Sequence, residues 1–196
     1  MKPNSALLIV DVQIDFCPGG ALAVPEGDRI VPVINRCIDH FSHKGIPVIA
    51  SRDWHPPQTS HFREFGGLWP VHCVQESDGA RFHPDLRLPP GAIIVSKGMD
   101  PARDDYSAFN AIDSLRVELG QLLDELGVER LYVVGLATDY CVRESVLEAL
   151  RLGFGVTVIS DAVKGVDIRD GDSDRAMAEM AAAGAAVRTS DEILEQ

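Results

Sequence analysis

Apolar residues along the chain fall into short unbroken runs separated by amphipathic stretches. Residues 6–10 (ALLIV) form one such run, closed by Asp11, and residues 131–134 (LYVV) form another, followed by a break at Gly135. Short runs without alternation suit strands covered on both faces, as in a parallel sheet. Further strands are predicted at residues 47–50, running on towards Asp53, at 92–96, ending at Lys97, at 155–160, ending at Asp161, and at 185–188. Helical spacing fills the intervals. Residues 27–44 carry apolar side chains at 30, 33, 34, 37, 38 and 41 and stop at Gly45. Residues 113–126 stop at Gly127, residues 169–183 stop at Gly184, and a short helix opens at Asp191. From Val142 the apolar positions 142, 146, 147 and 150 again follow a helix. A glycine just past the last periodic residue is a common stop, because it takes left-handed backbone without a Cβ clash.

Strands alternating with helices specify an α/β fold, here a three-layer αβα sandwich around a doubly wound, mostly parallel six-stranded sheet. With no internal repeat or linker, one domain over residues 1–196 is expected. In such sheets the ligand lies beyond the carboxyl ends of the strands, where the strand order reverses. The polar residues that end the strands should therefore converge: Asp11, Asp53, Lys97 and Cys141, followed by Asp161. Residues 54–91 show no periodicity and are rich in Pro, Gly and His. A connection of that length without elements of its own is usually functional.

Asp11, Lys97 and Cys141 together suit acyl transfer. A thiol is a weak nucleophile until a carboxylate takes its proton, and an ammonium nearby stabilises the thiolate. Cys141 falls at a strand-to-helix junction, where the helix dipole favours negative charge; a buried structural cysteine is the competing reading. The backbone amides of Ala137 and Cys141 flank the turn before the helix and suit an oxyanion. Asp53 and His55, at i and i+2, face one side if the strand remains extended. With His72 and with His61 they offer a shell for one divalent ion, and Zn, Fe and Mn suit it alike. Loop histidines on the surface are the alternative. Phe16, Trp69 and Tyr106 stand on loops beside these groups, where a flat ring substrate can stack.

Charge and cysteine usage narrow the partners. A net charge of -12, from 18 basic and 30 acidic residues, argues against nucleic acid and against an anionic membrane surface. No apolar run approaches a membrane span, and the first residues do not read as a signal peptide. The four cysteines, at 17, 37, 73 and 141, form no CxxC pair. Reduced thiols and a cytoplasmic location are expected. A small-molecule substrate is the partner indicated, and a homo-oligomer is compatible with the sequence.

Six motifs in order resemble the nicotinamidases, within the isochorismatase-like cysteine hydrolases. They are VDVQIDF at 10–16, PGGALAVP at 18–25, SRDWHP at 51–56, WPVHC at 69–73, SKG at 96–98 and GLATDYCV at 135–142. The resemblance implies Asp11 as general base and acid, Lys97 as its electrostatic partner and Cys141 as nucleophile. It implies metal ligation by Asp53, His55 and His72, with His61 at a position that is a ligand in some members, the ion holding a pyridine nitrogen. It further implies a cis peptide before Ala137, hydrolysis of nicotinamide through a thioester, a place in NAD salvage, and action on pyrazinamide. A related hydrolase for carbamoyl or ureido compounds is the nearest rival, although those generally lack the Asp-Trp-His and Trp-Pro-x-His-Cys set. A nucleotide-binding domain of the same architecture requires a glycine-rich loop after the first strand, where this chain has Asp11 to Asp15 instead. A structural-zinc interaction protein would keep its function without Cys141.

Overall fold

Strand β1 (Ser5–Val10) is buried along its whole length, as its continuous apolar run requires. It pairs with β2 (Val48–Asp53) on one side and with the later strand β4 (Arg130–Leu136) on the other. β3 (Ile93–Lys97) flanks β2, while β5 (Gly155–Lys164) and the short β6 (Ala186–Arg188) continue beyond β4. Every pairing is parallel, in the order β3-β2-β1-β4-β5-β6. The structure is a computed structural model and describes residues 4–195.

Alternate side chains of β1 enter opposite cores. Leu7 and Ile9 pack with Ile34, Ile38 and Phe41 of α1 (Val31–His43) and with Ile193 of the terminal helix α5 (Ser190–Leu194). Ala6, Leu8 and Val10 face α2 (Leu119–Leu126), α3 (Arg143–Arg151) and α4 (Asp172–Ala182), through Leu123, Val146 and Met180 among others. Each large aliphatic side chain so buried contributes about 1.5–3 kcal/mol. The helices thus form two outer layers, and the αβα sandwich expected from the sequence is present. After β1 the chain builds outwards to β2 and β3, then returns to lay β4 on the other side of β1. That reversal opens a crevice beyond the carboxyl ends of β1 and β4. Asp11 directly follows the first of these strands, and the turn carrying Cys141 follows the second.

Several expected elements differ. The helix expected at 27–44 begins as a 3-10 turn, Gly27–Ile30, and becomes α-helical only at Val31. Pro32 lies in its first turn, where a missing N–H leaves no bond unmade. Of the helix expected at 113–126, only Leu119–Leu126 forms. The Asp113 carboxylate accepts hydrogen bonds from the Leu115 and Val117 amides and closes a loop, with Arg116 at φ 65°. An aspartate that captures nearby amides competes with the helix for them. The helix expected at 169–183 starts at Asp172, behind Gly171 at φ 78°. β5 does not end at Asp161 but runs to Lys164. Asp161 is exposed and accepts hydrogen bonds from the Ser190 amide and hydroxyl, fastening the start of α5. It does not belong with the other strand-end residues. Among the described residues no helix is long and apolar enough to cross a membrane.

Candidate active site

Lys97 is the hub of the crevice. The β2–β3 register sets it directly beside Asp53, so both side chains leave the sheet at one place. Its Nζ lies 2.9 Å from Asp11 Oδ2 and 3.5 Å from Cys141 Sγ, and it donates to Asp53 Oδ1 and to the Asp105 carbonyl at 3.3 Å. The three ligand-capable atoms of Asp11, Asp53 and Cys141 lie within 4.8 Å of one another, all on buried residues. Asp11 adopts φ 48°, a left-handed conformation that is sparsely populated for a side chain with a Cβ. Its amide donates to the Ser51 carbonyl, and its own carbonyl accepts from the Gln13 amide. The Ser51 hydroxyl donates to Asp11 Oδ1 at 2.7 Å. Oδ2 makes the ion contact with Nζ but accepts no hydrogen bond, which leaves it open to the thiol.

Cys141 sits inside a π-helical turn, Thr138–Val142, one step before α3. The Ala137 carbonyl accepts from the Tyr140 and Val142 amides, and the Ser145 hydroxyl donates to the Cys141 carbonyl at 2.6 Å. The peptide between Leu136 and Ala137 is cis, as the resemblance implies.

Charge in this group is set mainly by burial. Burial raises the Cys141 thiol well above its ordinary value; Lys97 opposes this, and Asp11 and Asp53 add to it. Burial thus opposes ionisation of the thiol, and a base beside it has to take the proton. Burial likewise raises Asp11, against the pull of Lys97. Lys97 is held well above its usual value, because Asp11 and Asp53 outweigh its desolvation. Burial would raise Asp53, but Lys97, His55 and His72 together hold it far below the carboxylate range. At rest Cys141 is a thiol, Asp53 a carboxylate and Lys97 an ammonium.

Beside it stand three histidines whose ring nitrogens come within 4.8 Å of one another. His55 and His72 approach Asp53 Oδ2 at 3.5 and 3.9 Å, so the i, i+2 reading of Asp53 and His55 is correct. Each ring is turned by a bond at Nδ1: His55 to the Gly98 carbonyl, His72 to the Pro70 carbonyl, and His61 to the Asp104 carboxylate. Gly98, at φ 70°, is needed for the first of these, since a Cβ there would lie 2.5 Å from the His55 ring. Burial lowers His61 and takes His72 down to about 4, so both present neutral nitrogens at pH 7. His55 Nε2 is buried without any hydrogen-bond partner. An orphaned imidazole nitrogen facing two more imidazoles and a carboxylate fits a divalent cation, whose charge also offsets the surplus carboxylate.

Phe16, Trp69 and Tyr106 all line the cavity onto which Cys141 and Ala137 open, as do His61, His72 and Asp53. The Trp69 indole N–H donates to the Tyr106 hydroxyl at 2.9 Å, joining two loops across the site. Tyr140, not anticipated, also lines it and packs edge-on against Trp69 at 5.1 Å. Ser51, Gln13 and Asp104 also support the site, beyond the residues expected from the sequence. Ser51 and Gln13 carried a usable signal, two residues before Asp53 and two after Asp11; Gln13 clamps the Asp53 backbone through its amide and carbonyl. Asp104, 43 residues from His61, carried none. His83 holds a loop at Val12 and Asp85, away from the site. Cys17, Cys37 and Cys73 are free, buried and part of the core.

This chain buries an aspartate, a lysine and a cysteine together at the switch point of a doubly wound parallel α/β sheet. It belongs to the isochorismatase family, whose isochorismatase domain matches residues 5–192. A nicotinamidase of Escherichia coli K12 is 47% identical over 205 aligned positions, covering 95% of each chain. A zinc complex of the pyrazinamidase of Pyrococcus horikoshii superposes with a TM-score of 0.88 at 45% identity, covering 95% of this chain and 99% of that one. A Leishmania protein (L. infantum PnC1) in complex with nicotinate gives 0.87 at 33% identity, covering 97% and 95%.

Proposed function

We propose that this amidohydrolase is a nicotinamidase, converting nicotinamide and water to nicotinate and ammonia. The observation that carries this is the ammonium of Lys97 held between Asp11 and Cys141, where Cys141 lines an aromatic cavity together with Asp53, His61 and His72. Kinship with nicotinamidases supports the substrate.

Asp11 Oδ2 takes the thiol proton, and the Cys141 sulfur attacks the amide carbonyl carbon. The amides of Ala137 and Cys141 receive the oxyanion. Its collapse breaks the C–N bond, and the proton on Asp11 passes to the leaving ammonia. A water then gives one proton to Asp11 and attacks the thioester carbonyl; the C–S bond breaks, the sulfur recovers that proton, and nicotinic acid leaves, its own proton going to solvent or to the ammonia to give nicotinate. Lys97 keeps its charge throughout, balancing whichever of Asp11 and Cys141 is anionic. Phe16, Trp69 and Tyr106 hold the ring. Asp53, His55 and His72, with His61, would hold a divalent ion, which when bound offers a Lewis-acid point for the pyridine nitrogen lone pair. Nicotinate is a precursor for pyridine nucleotides, so the reaction belongs to NAD salvage. Pyrazinamide, with a ring nitrogen in the same place, fits as a second substrate.

Ammonia release by the purified protein from nicotinamide, pyrazinamide and a carbamoyl amino acid tests this directly. Turnover of the two ring amides with none of the carbamoyl compound is expected. Preference for the carbamoyl compound would reassign the substrate to the nearest rival.

A further inference from the structure

Asp139 stands two residues before Cys141, in the same π-helical turn, and is buried. Its carboxylate is turned to the loop that follows β5. Oδ1 accepts from the Val166 amide at 2.9 Å and Oδ2 from the Asp167 amide at 2.8 Å. Gly165 lets the two segments meet: a Cβ there would lie 1.8 Å from Ser173 Oγ and 3.0 Å from Asp139 Oδ1. Asp167, at φ 51°, continues the tie by accepting from the Ser173 amide and hydroxyl at the start of α4. The loop is fastened at Val166 and Asp167, and Val166 lines the cavity together with Leu22, Val24 and Leu136.

We propose that Asp139 is a positioning residue that sets which rings the cavity accepts, by fixing Val166 as part of its wall. This rests on the nicotinamidase reading. Each carboxylate oxygen accepts from one backbone amide of the loop, so the side chain holds the wall while Cys141, two residues on, does the chemistry. Two charge-assisted bonds from one buried carboxylate to consecutive amides make the wall stiff. An asparagine can accept only one of those bonds, because its NH2 would face the second N–H.

The test is the ratio of kcat/KM for nicotinamide to that for nicotinamide carrying one ring methyl group. It is measured for the wild type, Val166→Ala, Asp139→Asn and the double variant, with thermal melting as the check on folding. Val166→Ala, which removes wall volume without touching the tie, should shift the ratio towards the methylated ring by about tenfold, the usual worth of a methyl group in an apolar pocket. Asp139→Asn should shift the ratio in the same direction, mainly through KM. The double variant should shift it little further than either single change, because both act on one wall. An Asp139→Asn protein that lowers kcat equally for both amides at an unchanged ratio, or fully additive shifts in the double variant, would overturn the inference while leaving the functional reading intact. A folded wild type that releases no ammonia from nicotinamide would overturn both.

Discussion

Asp53 gives one carboxylate oxygen to Lys97 and turns the other towards His55, 3.5 Å away. One side chain thus belongs to the acid–base group and to the histidine shell at once. Removing it should disable both. In Asp53→Ala the wholly buried Lys97 keeps Asp11 but loses its second carboxylate. Breaking a buried pair from one side typically costs about 3–5 kcal/mol. Urea unfolding should show a loss of that order, together with loss of bound metal. Unchanged stability would mean that the contact with Lys97 contributes nothing.

Acid should switch the enzyme off at a higher pH than free carboxyl chemistry suggests. Burial raises Asp11, against the pull of Lys97 and of the Ser51 hydroxyl. A raised acid takes up its proton earlier as the pH falls, and a protonated Asp11 cannot accept the thiol proton. The acid limb of kcat/KM should therefore lie at higher pH than an unperturbed carboxyl group would place it. Ser51→Ala removes a bond that favours the charged form, so the limb should move to higher pH still. With metal content checked at each pH, a limb that stays put or moves down in Ser51→Ala contradicts the assignment of Asp11 as the base.

Asp104 gives a handle on His61. Its carboxylate bonds His61 Nδ1 and so aims Nε2 inward, an arrangement that raises ligand basicity. Asp104→Asn should weaken metal binding by about 10–100-fold, as outer-shell changes usually do, and His61→Ala by at least as much. Metal affinity from competition with a chelating dye is the readout. If neither change alters it, His61 is not a ligand and the shell is Asp53, His55 and His72.

Much of this was legible because strand ends are marked in sequence. Runs such as residues 6–10 and 131–134 identify buried parallel strands, and the topology then brings Asp11, Asp53, Lys97 and Cys141 together without further information. An aspartate within an apolar run looks like a terminus, whereas β5 runs on past the end of its pairing with the three-residue β6, and Asp161, where the pairing with β4 is irregular, stays exposed and fastens Ser190 of α5. The loop at 113–117 was hidden for a related reason: helical spacing continues through it, but the Asp113 side chain takes the amides first. Burial of the Cys141 thiol, which raises it, is likewise something no local pattern reports. Contacts such as Asp104 with His61 and Asp139 with Val166 depend on how distant loops meet, and nothing in the one-dimensional pattern signals them.

Whether Cys141 carries the acyl group is read from intact-protein mass spectrometry of acid-quenched turnover. During turnover of nicotinamide a fraction of the protein should gain the mass of one nicotinoyl group, located by proteolysis on the peptide containing Cys141. Cys141→Ala should show neither the adduct nor ammonia release while melting like the wild type. Sustained ammonia release from Cys141→Ala, or an adduct on a different residue, would contradict the account.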